Sequence, residues 1–78
     1  MNNLYIINEV LCKVLYDDYT PGMAVIAATS LDACREIFAS EFALWVDEFD
    51  SSIADGDYKV IEGVEHQTGV VSYVVGGG

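Results

Sequence analysis

Basic side chains are scarce in this 78-residue chain: three Lys or Arg stand against thirteen Asp or Glu, for a formal net charge of −10. A surface so poor in cations repels nucleic acid and anionic membrane, so direct binding to either is excluded and basic protein surfaces become the favoured partners. Histidine occurs once, as His66. No Ser, Cys or carboxylate is tied to it by a recognisable catalytic motif, and it reads as a solvated turn residue. The uncharged run from Tyr19 to Leu31 is interrupted by Pro21-Gly22 and is too short to span a bilayer. The N-terminal MNNLYIINEV has no basic region of the kind that opens a secretory signal. These absences point to a soluble, intracellular protein. Cys12 and Cys34 then read as free thiols in a reducing compartment, both on core-facing positions.

Hydrophobic residues are not scarce. They make up 53% of the chain and aromatics 12%, which separates it from acidic disordered tails. The length supports one domain, residues 1–78, with a modest core and a frayed Gly76-Gly77-Gly78 tail. Self-repulsion among the excess anions weakens the compact state, so salt or a cationic partner should stabilise it.

Leu4, Ile6, Val10, Cys12, Val14 and Tyr16 share one parity against Glu9 and Lys13, the period-2 pattern of a half-buried strand. Turn formers over Asp17–Gly22 and an apolar run over Met23–Ala28 complete a hairpin. Thr29-Ser30-Leu31-Asp32 marks a helix start, and the spacing predicts a helix from about Leu31 to about Val46. Leu31, Cys34, Phe38, Phe42 and Trp45 form its apolar stripe, with Glu36, Ser40 and Asp47 opposite. The stretch Asp47–Asp57, with five carboxylates and Gly and Ser punctuation, reads as a loop. Tyr58–Glu65 and Val70–Val75 are two β-rich runs joined by the hairpin connection His66-Gln67-Thr68-Gly69. The fold class is α+β: a ββαββ chain forming an antiparallel sheet of about four strands with one helix across one face.

Specific chemistries fail on the residues they need. Asp55-Gly56 followed by Glu62 has the spacing of the end of an EF-hand loop, but Ile53 falls on a ligand position and offers calcium no oxygen. No cofactor or metal is therefore implied. Adjacent carboxylates such as Asp47 and Glu48 would need a substrate cleft that so short a chain hardly encloses. Gly56, Gly63 and Gly69 match no phosphate-binding spacing.

What remains is a charge pattern. From Glu36 to Glu65 nine carboxylates face Lys59 alone. The central candidates for partner binding are Asp47, Glu48, Asp50, Asp55 and Asp57, surrounded by Glu36, Glu41, Glu62 and Glu65. Trp45, on the helix stripe, reads as core; Tyr58 and Tyr73 are possible contacts. Tyr19 is the better exposed anchor, and Phe49 either closes the core or supplies an apolar anchor within the charged rim. A compact body of this length is roughly 30 Å across, and a DNA duplex of that length carries about 18 phosphates, so the chain could occupy a groove built for nucleic acid.

The order YIINEV, AVIAATSLDACREIFASEF and VIEGVEHQTGVVSYVVGGG resembles small phage-encoded proteins in which a hairpin precedes a capped helix and a final β segment. Among such proteins the chain is similar in charge and scale to anti-CRISPR proteins. That resemblance implies a non-enzymatic inhibitor that acts in the bacterial host cytoplasm and blocks target DNA binding by a CRISPR effector complex. It assigns no individual residue a role. The rival reading is a structural or assembly module that pairs through an exposed sheet edge, as a monomer on another protein or as a homodimer.

Overall fold

The computed structural model describes residues 1–15 and 18–75, with the side chains of Glu9, 12–15 and 18–21 outside the description. Strand β1 (Asn2–Leu15) and strand β2 (Asp18–Ala28) lead into helix α1 (Leu31–Glu41). A short 3-10 turn (Ala43–Trp45) connects α1 to helix α2 (Val46–Ala54), and strands β3 (Tyr58–Val64) and β4 (Gly69–Val74) follow. The α+β class and the four-stranded antiparallel sheet agree with expectation, but two helices, not one, pack against it. Among the described residues no helix is long and apolar enough to cross a membrane.

The strand order is β3-β1-β2-β4. The two longest strands occupy the centre as the expected hairpin. That hairpin is longer than predicted, since Asp18–Gly22, read as turn, lies within β2. Pro21 is accommodated because Val10 pairs with Gly22 and Lys13 with Thr20, so it sits opposite a bulge at Leu11 and Cys12 where the ladder skips a bond. Leu11 has φ +56° in this bulge and is fully buried.

The side-chain parity of β1 also differs from the sequence reading. Tyr5 and Ile7 are buried, whereas Leu4 and Ile6 are half-buried. A register shift between Asn8 and Val10 inserts Glu9 as an extra residue, and one extra residue exchanges the faces. Hence odd-numbered Tyr5 and Ile7 and even-numbered Val10 all join the core.

The predicted hairpin between β3 and β4 does not form. These strands lie at opposite edges of the sheet, pairing with β1 and β2 respectively. The connection Glu65–Thr68 instead passes across the strand ends, a distance of about 14 Å that four extended residues can reach. Asn2 holds this crossing in place: its Nδ2 donates to the His66 carbonyl at 2.7 Å and to Thr68 Oγ1 at 3.0 Å.

Both helices contribute to one core. Phe38 of α1 and Phe49 of α2 meet with ring centroids 4.8 Å apart, among Tyr5, Ile7, Ile26 and Cys34. Each such buried ring contributes roughly 1.5–3 kcal/mol. Cys34 is a free buried thiol, and burial pushes its pKa up to about 12. Cys12 lies outside the described side chains.

Candidate functional site

The predicted helix over 31–46 begins where expected: Ser30 Oγ accepts the Ala33 N–H at 3.1 Å. It ends early, at Glu41. Phe42 leaves the helical conformation (φ −133°, ψ 52°), yet its N–H still donates to the Phe38 carbonyl at 2.7 Å. Its ring packs on Phe38 and, edge-on, on Tyr73 of β4. The 3-10 turn that follows redirects the chain and leaves Leu44 86% exposed.

Most of the segment read as an acidic loop is helix. Trp45, Phe49, Ser52 and Ile53 recur at helical spacing and face inward; Asp47, Glu48, Asp50 and Asp55 lie on the outward arc. Asp47 and Glu48 occupy the first turn of α2, where carboxylates favour the positive end of the helix dipole. Ser52 Oγ donates to the Asn8 carbonyl at 2.7 Å and fastens the helix to β1. Gly56, with φ +73°, closes α2 in a left-handed cap: its N–H donates to the Ile53 carbonyl at 3.1 Å and that of Asp57 to the Ser52 carbonyl at 2.8 Å. The glycine that suggested a loop is therefore a helix terminator.

The acidic residues whose side chains are described divide among four locations. Asp47, Glu48 and Asp50 on α2 and Asp55 at its C-cap share the outer helical layer with Asp32 and Glu36 of α1, all exposed. Asp57 is half-buried at the start of β3, where its carbonyl accepts the Asn8 N–H at 3.1 Å. Glu62 and Glu65 are exposed near the far end of β3, about 15–25 Å along the strand from Asp57, and belong to the crossover side of the molecule. Glu41, in the last turn of α1, faces a cleft beside β4.

Asp50 is not a free charge. Arg35 Nε and Nη2 donate to its two carboxylate oxygens at 2.8 and 2.9 Å, a bidentate bridge between α1 and α2. The hydrogen bonds from Arg35 hold the Asp50 carboxyl below its usual range, and those same bonds, with its charge, raise the guanidinium.

The predicted apolar anchors change as well. Phe49 is 1% exposed and closes the core, so it offers nothing to a partner. The side chain of Tyr19 lies outside the described residues. Trp45 packs against the core as expected. Leu44, in the 3-10 turn that leads into α2, is instead the large apolar side chain left exposed near these helices. The sequence reading missed it because a continuous helix would have placed it next to Ile37 on the flank of the stripe. His66 is exposed in the crossover, its Nδ1 2.8 Å from the Gln67 carbonyl. Among the described residues no three His, Cys, Asp or Glu side chains come together as a metal site.

No protein-family model, curated protein or solved structure matches this chain.

Proposed function

We propose that this protein is a non-enzymatic binding protein that applies its acidic helical layer to the cationic surface of a nucleic-acid-binding protein. The observation that supports this reading most is the packing of α1 and α2 into one core against the sheet with Asp32, Glu36, Asp47, Glu48 and Asp55 exposed and Leu44 exposed in the turn between the helices. Anions at this density draw a basic surface into encounter, while an apolar contact within the rim supplies the desolvated centre that charge alone lacks. The layer is narrower than the nine carboxylates of the sequence pattern: Asp50 is engaged with Arg35, and Glu62 and Glu65 lie elsewhere.

The resemblance to anti-CRISPR proteins makes a CRISPR effector complex the first partner to test, with competition against target DNA as the mode of inhibition. The decisive experiment replaces Asp47, Glu48 and Asp55 by Asn, Gln and Asn. This variant should retain the fold, since all three side chains are exposed, and should lose capture of the basic partner. Equal capture by the variant would remove the helical layer as the site.

A further inference from the structure

Strand β4 forms one edge of the sheet, and its sequence GVVSYV carries no charge and no proline. Natural edges are usually blunted by such residues. The opposite edge shows the contrast: β3 has Lys59, Glu62 and Gly63, the last at φ +69°. On β4, Tyr73 is 53% and Val74 56% exposed.

A cleft of about 470 Å³ lies along this edge, lined by Glu41, Phe42, Val70, Val71, Ser72 and Tyr73. Four of these residues are consecutive in β4. Alternate side chains of a strand point to opposite faces, so a cleft bordered by four in succession reaches the strand's free edge as well as the face under α1. A bulge assists: Ser72 pairs with Val25 and Val70 with Ile26, leaving Val71 as the extra residue.

The far wall of the cleft is the C-terminal end of α1. Its last turn contains no basic residue, so the negative end of the helix dipole and the Glu41 carboxylate act together. Among the described residues Glu41 has no hydrogen bond or ion pair to a cation. Beside it Phe42 and Tyr73 meet edge to face at 5.1 Å, presenting aromatic surface suited to a cation.

We infer that β4 accepts an extended segment of a partner protein as a fifth strand, with an arginine or lysine of that segment seated between Glu41, Phe42 and Tyr73. Backbone pairing supplies the attachment and the carboxylate–aromatic cleft supplies the selectivity. Charge complementarity favours a basic foreign strand over a second copy, because β4 offers its own twin no cation and would bring two strongly anionic chains together. This site is separate from the acidic helical layer and stands without it.

The test is an amide-resolved NMR titration and hydrogen exchange with a capped peptide alternating valine and arginine over seven residues. Two controls accompany it, one with proline for valine and one with glutamate for arginine. The expected result is slowed exchange over Gly69–Val74 and shifts at Glu41 and Phe42 with the first peptide alone, and an affinity about tenfold weaker in Glu41→Gln. Equal effects from the proline peptide, shifts confined to Asp47, Glu48 and Asp55, or unchanged affinity in Glu41→Gln would overturn it. So would protection of β4 in the free protein that falls on dilution, which would assign the edge to a second copy.

Discussion

Arg35 and Asp50 clasp the two helices together through paired contacts of 2.8 and 2.9 Å, so a basic side chain of α1 neutralises an acid in the middle of the acidic layer. Arg35→Gln should release that charge. The expected outcome is a small loss of stability in thermal unfolding and stronger, more salt-sensitive capture of a cationic partner. The carboxyl of Asp50 is depressed in the folded state, so its contribution is present above the ordinary Asp value of 3.8 and is lost as pH falls through its lower folded value. In Arg35→Gln that part of the acid-side decline should disappear.

Phe49 and Leu44 provide opposite outcomes from neighbouring positions. Phe49→Ala removes a ring packed at a tilt against Phe38 in a closed core and should destabilise by about 3–5 kcal/mol in urea titration. Leu44→Ser changes an exposed side chain and should leave stability within about 0.5 kcal/mol. Its effect should be read instead in partner affinity.

Asn2 is the clip on the β3–β4 crossover. Asn2→Ala removes both donated hydrogen bonds and leaves the His66 carbonyl without its partner, an expected cost of about 1–3 kcal/mol. Faster amide exchange near the crossover and at the ends of β3 and β4 would locate the effect.

Cys34 should resist iodoacetamide in the native protein at neutral pH and react once urea unfolds the chain. Its folded pKa is raised from 9.0 to about 12 by burial, so its contribution to stability is fully present below about 9 and is lost as pH rises from there through about 12. Alkaline unfolding of Cys34→Ala should be correspondingly shallower.

Local signals carried much of this fold into the sequence. Ser30 announced the start of α1, period-2 patterning announced the strands, and the short distance between β1 and β2 announced their hairpin. The break after Glu41 had no such signal, because neither glycine nor proline marks it and Phe42 departs from the helix to reach Tyr73 on a distant strand. Helix α2 was concealed by the acids on its outer arc, which made Phe49 look stranded in a loop. Its inward spacing from Trp45 to Ile53 was nevertheless present. The placement of β3 and β4 on opposite edges depends on contacts such as Asn2 with Thr68, separated by most of the chain, and local pattern cannot express them. For the site, the acids of α2 were legible, whereas their neutralisation at Asp50 and the exposure of Leu44 depend on how the helices turn.

Affinity capture with mass spectrometry, run in parallel on the native protein and on the variant with Asp47, Glu48 and Asp55 neutralised, probes the acidic layer most directly. The native protein should recover a basic nucleic-acid-binding protein at low salt, release it in high salt or on addition of duplex DNA, and the variant should recover little of it. Recovery of the same proteins in the same amounts by both, unaffected by salt or DNA, would contradict a charge-directed role for the helices.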